Sequence, residues 1–134
     1  MIAKQLSIFV ENKTGKLAQV TEMIADLGVN IKALSIADTT DFGVLRIIVD
    51  KPEELADELR DNRMTVSTGD VIIIDLVDKP GGLTEALKVL YLHGISVEYV
   101  YAFSAPHSND LARVVLRVDD PKKADLMLKE KGFE

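Results

Sequence analysis

Two stretches of the chain gather polar residues and glycines just where a helical pattern begins. Asn12, Lys13, Thr14, Gly15, Lys16 and Leu17 form one; Asp78, Lys79, Pro80, Gly81, Gly82 and Leu83 form the other. The first N–H groups of a helix have no partner inside it, and with the helix dipole they favour an anion. A glycine in such a turn can take a positive φ and lets a small molecule approach the backbone. Further on, each stretch is followed by a polar residue at the head of an apolar run: Asn30 before Ile31, and Ser96 before Val97. Asparagine offers a donor and an acceptor on one side chain, while a carboxylate at Asp78 suits an ammonium. Such residues hold a small polar molecule; they do not transform it. The chain has no Ser-His-Asp spacing, no phosphate loop with its lysine and no metal motif.

These stretches belong to an internal repeat. Leu17 recurs as Leu83 and Gly28 as Gly94, each 66 residues on. Val49-Asp50-Lys51-Pro52 recurs as Val118-Asp119-Asp120-Pro121, 69 residues on, so the second copy gains about three residues in a loop. A repeat of this length implies two copies of one small fold, here residues 1–69 and 70–134. Units this small bury little core alone.

Periodicity assigns the elements. Leu6, Ile8 and Val10 alternate on one face of a strand over residues 5–11, with Phe9 on the other. Leu17, Val20, Ile24 and Leu27 define one stripe of a helix that Gly28 ends. Strands follow at 30–37 and 44–49, joined through Thr39, Thr40, Asp41 and Gly43. Pro52 opens a helix with Leu55, Ala56 and Leu59 inward, and a short strand near 64–68 closes the copy. The second copy repeats this order with a strand at 71–77, a helix carrying Leu83, Leu87 and Leu90, strands near 97–104 and 111–118, and a helix from Pro121 to about Lys131. Leu45, Ile47 and Val49 match Val114, Leu116 and Val118 and should face the helices; Arg46, Arg113 and Arg117 fall on the opposite face. The class is α+β, a ferredoxin-like βαββαβ unit repeated twice, with helices on one face of antiparallel sheets. A shift of 69 puts Met64 on Phe133 and Thr65 on Glu134, so the last strand of the second copy is expected to be truncated, its sheet edge open or covered by something else.

Composition excludes several functions. The 134 residues are 47% hydrophobic and 28% charged, with a net charge of −6. An acidic chain is a poor partner for nucleic acid or an anionic membrane. With no cysteine there is no disulfide framework, thiolate zinc site or cysteine nucleophile. The N-terminal residues alternate too early for a signal peptide, and no apolar run is long enough to span a bilayer, so a cytoplasmic location is expected. Tyr99, Tyr101 and Phe103 share one strand face, and in an acidic chain they read as sheet or interface packing rather than a base-stacking platform. His93 precedes the helix-ending Gly94, where a cation is favourable. His107 lies in the inserted loop of the second copy, a surface loop or a lid over a ligand. Glu53/Glu54 and Asp119/Asp120 flank prolines and read as helix N-terminal stabilisers; Lys13 and Lys79 read as solvated.

The turn at Asn12–Leu17 with Gly28-Val29-Asn30-Ile31, and the turn at Asp78–Leu83 with Gly94-Ile95-Ser96-Val97, resemble the ACT domain over nearly the whole chain, as a tandem pair. The pair is also similar to proteins near the small regulatory subunit of acetolactate synthase. The resemblance implies a non-enzymatic, cofactor-free regulatory protein that binds an amino acid at the seam between ACT-like units. By that likeness, residues 12–17 join Ser96 and Val97, and residues 78–83 join Asn30 and Ile31. It equally suits a regulatory or interaction subunit of an amino-acid biosynthetic enzyme such as acetolactate synthase, with a vestigial pocket. A homodimer or that enzyme would be its protein partner. Some amino-acid-binding relatives have a histidine at the end of the first strand, where this chain has Val10 and Leu76, so the likeness does not name the ligand. Because the second copy has Asp78 and Ser96 where the first has Asn12 and Asn30, one site would hold Asn12 with Ser96 and the other Asp78 with Asn30, and the two are expected to be non-equivalent. A calorimetric titration should give unequal affinities or a single occupied site; equal affinity with full occupancy at both would count against this assignment.

Overall fold

A computed structural model describes residues 1–38, 41–103 and 110–133. The expectations placed on Thr39, Thr40 and the loop of His107 lie outside these residues. The elements are β1 (Ile2–Glu11), α1 (Lys16–Asp26), β2 (Ile31–Asp38), β3 (Phe42–Val49), α2 (Pro52–Asp61), β4 (Val66–Val77), α3 (Gly82–Leu92), β5 (Val97–Ala102), β6 (Leu111–Val118) and α4 (Pro121–Glu130). The chain divides into two compact units, Lys4–Gly69 and Met1–Ala3 with Asp70–Glu134. The two short strands expected at 64–68 and 71–77 are one, β4, which runs through Gly69 and Asp70.

In the first unit, Lys4–Gly69, the strand order is β2-β3-β1 and then the start of β4. Antiparallel registers set Leu6 opposite Ile47 and Ile8 opposite Leu45, while Leu34 also lies opposite Ile47. This phasing directs Leu6, Ile8, Leu45 and Ile47 into one core with Val20 and Ile24 of α1 and Leu55 and Leu59 of α2. Burying each large aliphatic side chain is worth about 1.5–3 kcal/mol. The α1 stripe is narrower than its periodicity suggests. Val20 and Ile24 are buried, but Leu17 and Leu27 remain 40% and 37% exposed, each lining a surface cleft.

The second unit, Met1–Ala3 with Asp70–Glu134, repeats the arrangement. β4 pairs with β6 (Ile72 opposite Leu116, Ile74 opposite Val114), and β6 pairs with β5. Ile72, Ile74, Leu90, Leu116 and Leu128 form its core. On α3 the buried stripe is Gly82, Ala86 and Leu90, with Leu83 exposed and Leu87 half-buried. The place of the expected fourth strand is taken by the first residues of β1. The Ile73 N–H donates to the Met1 carbonyl at 2.8 Å, and the Met1 amine donates to the Ile73 carbonyl at 3.1 Å. Asp125 of α4 pairs with the Met1 amine and with Lys129, each at 3.0 Å. Burial raises the Asp125 pKa, but those two cations outweigh it and hold the carboxyl below its ordinary value. Arg113 forms a two-pronged pair with Asp75 across β4 and β6, at 2.7 and 3.0 Å. Its guanidinium lies 5.6 Å from the Phe103 ring centroid. Tyr99 and Tyr101 stack with ring centroids 6.3 Å apart, so these aromatics pack along the sheet.

Gly82 is the tightest point of this unit. A Cβ there would run into the Val77 carbonyl, which is backbone and cannot swing aside. Gly82→Ala should therefore lower the midpoint of denaturant unfolding, by about 1–3 kcal/mol in stability. An unchanged midpoint would mean that α3 can shift without cost.

Candidate ligand-binding site

The two turns are built alike. In the first unit β1 ends at Glu11, and the Asn12 N–H donates to the Asp41 carbonyl at 3.0 Å, tying the turn to the β2–β3 hairpin. The Lys16 N–H reaches the Lys13 carbonyl and the Gln19 N–H reaches Gly15. Gly15 makes this possible at φ 85°, a left-handed conformation, and no side chain caps the helix. The N–H groups of Leu17 and Ala18 consequently have no acceptor among the described residues. In the second unit the Asp78 N–H reaches the Asp110 carbonyl, Gly82 bonds Lys79 and Glu85 bonds Gly81. Gly81 has φ 87°, again without a side-chain cap, and the N–H groups of Leu83 and Thr84 are left open in the same way. Thr14 and Pro80 fill matching places, so the two sequences reach one backbone shape by different residues.

A cleft of about 220 Å³ lies beside the first turn, lined by Asn12, Lys13, Leu17, Ile36, Asp38 and Gly43 among others. It has a polar end and an apolar wall. Lys13 is exposed and pairs with Glu11 at 3.0 Å. The hydrogen bond from Lys13, the charge of Lys13 and then that of Lys16 hold the Glu11 carboxyl below its ordinary pKa. Asp38 and Ile36 were not singled out by sequence. They stand at the end of β2, and only pairing with β3 brings that end to the turn, with Asp38 opposite Gly43.

Asn30 and Ile31 do not join the turn of their own unit, nor do Ser96 and Val97. Each pair follows the far end of an 11-residue helix, roughly 16 Å away. Their backbone is held by two carboxylates, Asp50, which had no role by sequence alone, and Asp119, read there as a helix N-terminal stabiliser. The Asn30 N–H donates to Asp50 Oδ1 at 3.2 Å, and the Ser96 N–H to Asp119 Oδ1 at 3.1 Å. Asp119 thus fixes a strand start, whereas Asp120 accepts from the Lys123 N–H and caps α4. The recurrence of Asp50 as Asp119 was the available signal. His93 Nδ1 lies 2.7 Å from the Val89 carbonyl, closing the last turn of α3. Among the described residues, no three His, Asp or Glu side chains gather as metal ligands would, and no helix is long and apolar enough to cross a membrane.

The doubled βαββαβ arrangement carries an uncapped, glycine-bent helix start in each copy. The sequence matches the family model of the ACT domain pair over residues 1–133, and the chain belongs to that family. It is similar to the solved protein BT0572 from Bacteroides thetaiotaomicron, at 42% identity over 100% of this chain and 91% of that one, with a TM-score of 0.92. At 12% identity it shares the fold of the regulatory subunit of aspartate kinase from Thermus thermophilus (TM-score 0.66, 97% and 96% of the two chains). It also shares the fold of aspartokinase alpha and beta subunits (17% identity, TM-score 0.59, 96% and 95%). No curated protein matches the chain by sequence. The sequence suggested the acetolactate synthase small subunit; the regulatory subunit named among these structures is that of aspartate kinase.

If Asp50 and Asp119 hold the strand starts, Asp50→Ala and Asp119→Ala should each cost about 1 kcal/mol in a chemical unfolding experiment. Neutral substitutions at both positions would remove them from the site's support.

Proposed function

We propose that this chain is a non-enzymatic amino-acid sensor whose ligand is held at the turn before the first helix of a unit. The observation that carries the reading is the open N–H pair of Leu17 and Ala18 beside a cleft with both polar and apolar walls. The N–H pair and the helix dipole suit an α-carboxylate. Asp38 and the Asn12 side-chain oxygen suit an α-ammonium, while Leu17 and Ile36 suit an aliphatic side chain. In the second unit Leu83 and Thr84 offer the N–H groups and Asp78 the acceptor. Gly15, Gly81 and Gly82 serve by giving the backbone its shape; Lys13, Thr14, Lys16 and Pro80 complete the two turns. Asn30, Ile31, Ser96 and Val97, at the far ends of their own units, would complete such a turn only from another ACT unit. Membership of the ACT domain pair supports a small-molecule ligand and a regulatory output. Ligand binding would favour one packing of ACT units over others, a change that a partner protein can read.

A second reading follows from the same family. The chain would be an interaction subunit of an amino-acid biosynthetic enzyme, its pocket vestigial; the regulatory subunit of aspartate kinase from Thermus thermophilus, which shares the fold, makes aspartate kinase one candidate partner.

The deciding test is a thermal-shift screen against the proteinogenic amino acids. A ligand bound only by the folded state must raise the midpoint, and at ~100 times its dissociation constant it adds roughly 2.7 kcal/mol. A rise with one or a few related amino acids, lost in Asn12→Ala, is expected. A flat panel, with co-purification of a larger catalytic chain independent of amino acids, would replace the sensor by the interaction subunit.

A further inference from the structure

The first unit has a second cleft, of about 410 Å³, on the other flank of the α1 start. Its volume is in the range of small-molecule sites. It lies between α1 and the link from α2 to β4. Val20, Met23 and Met64 give it an apolar floor continuous with the core. Glu11, Lys16 and Arg63 stand at its polar side. Glu11 is already paired with Lys13, so the charge presented to the cleft is the positive charge of Lys16 and Arg63.

Arg63 is the unusual member. It has φ 65°, in the left-handed region that an L side chain rarely occupies. The conformation ends α2: the Arg63 N–H bonds the Arg60 carbonyl and the Met64 N–H bonds Leu59, a geometry for which glycine is the comfortable residue. The second unit makes the same two bonds at matching places, Gly132 to Lys129 and Phe133 to Leu128, and uses glycine. The first unit thus keeps an arginine where its own repeat shows glycine to suffice. The Arg63 guanidinium has no ion pair or hydrogen bond among the described residues. A backbone held against its preference for the sake of an unpartnered side chain points to use of that side chain.

The matching cleft of the second unit, about 280 Å³, sharpens the contrast. Gly82 stands there for Lys16, Gly132 for Arg63, Glu85 for Gln19 and Asp75 for Phe9. Both cations are gone, Val77 replaces Glu11, and of the two carboxylates that come in Asp75 is already paired with Arg113, which leaves Glu85 as the charge presented there. An anion that suits the first cleft has no counterpart site in the second.

We infer that the cleft between α1 and the α2–β4 link of the first unit binds a small organic carboxylate with an apolar chain. Arg63 and Lys16 take the carboxylate, and Met23, Met64 and Val20 take the chain. A planar guanidinium matches a carboxylate with two parallel hydrogen bonds. This site lies on the other flank of the α1 start; it shares Lys16 with the turn but uses none of the turn's open N–H groups, so it stands without that reading.

The test uses the whole chain and 4-methylpentanoate as the probe, followed by calorimetry and thermal shift. Arg63→Gly should keep or raise the unfolding midpoint, because glycine accepts the left-handed backbone, yet weaken the probe by about tenfold or more. Arg63→Gln, which retains the backbone demand but not the charge, should weaken it likewise. Isopentylamine, of the same shape and opposite charge, should not bind. The inference is overturned if the probe does not bind the parent protein, if Arg63→Gly or Arg63→Gln binds it as the parent does, or if the amine binds equally. Asn12→Ala, which alters the turn and not this cleft, separates the two sites: it should leave the probe's affinity unchanged, and a loss there would show the probe sitting at the turn instead.

Discussion

Everything in this protein rests on burying one face of a small sheet beneath two helices. A unit of some 65 residues has little interior to spare, and its cohesion comes from a few fully buried aliphatic side chains. Leu6, Ile8, Ile24, Leu45, Ile47, Leu55 and Leu59 are all at 1% exposure or less in the first unit. Because strand side chains alternate, that burial also fixes register: a slip of one residue would turn Leu45 and Ile47 out and Arg46 in. Register in turn decides which ends of the strands meet, so the turn at Asn12 comes to lie against Asp41 and beside Asp38. The geometry of the turn and its cleft is a consequence of core packing.

The repeat separates what the core requires from what the rims are free to vary. Leu45, Ile47 and Val49 recur as Val114, Leu116 and Val118, and the irregularity between Ile31 and Ala33 recurs between Val97 and Tyr99. The backbone of the two helix-starting turns is also shared, with a left-handed glycine at residue 15 and at residue 81. Around that common frame the polar residues have parted. Thr14 answers Pro80, Lys16 answers Gly82, and Arg63 answers Gly132. A duplicated scaffold with divergent rims offers one chain two chemically different surfaces, one richer in cations and one in carboxylates. The carboxylates Asp50 and Asp119 stay the same because they bond backbone N–H groups, which every strand start presents whatever its side chains.

Much of this was legible in the chain itself. The period of two in β1 and β3, the helical stripe through Val20 and Ile24, and the prolines opening α2 and α4 are local signals, and local physics made them dependable. The glycine turns were legible for the same reason, since positive φ is a property of the residue. The errors were also physical. Leu17, Leu27 and Leu83 sit on the apolar stripes but are exposed, because periodicity says which way a side chain points and not whether anything covers it. Two strands were read where β4 is continuous, because Gly69 and Asp70 look like a break until neighbouring strands hold them extended.

The sequence by itself determined the elements and the two turns from spacing within a few residues, their doubling from a repeat of 66 to 69 residues, and the likeness to the ACT domain from the motifs that recur in it. Only the tertiary structure decided how distant residues meet. It set Asp38 at the turn and Asp50 on the Asn30 N–H, 20 residues away. It put Met1 beside Ile73 in the place of a fourth strand, and it opened a cleft between residues as far apart in the chain as Lys16 and Arg63. Such contacts depend on strand pairing and helix docking summed over a whole unit, and no short stretch of sequence carries that sum.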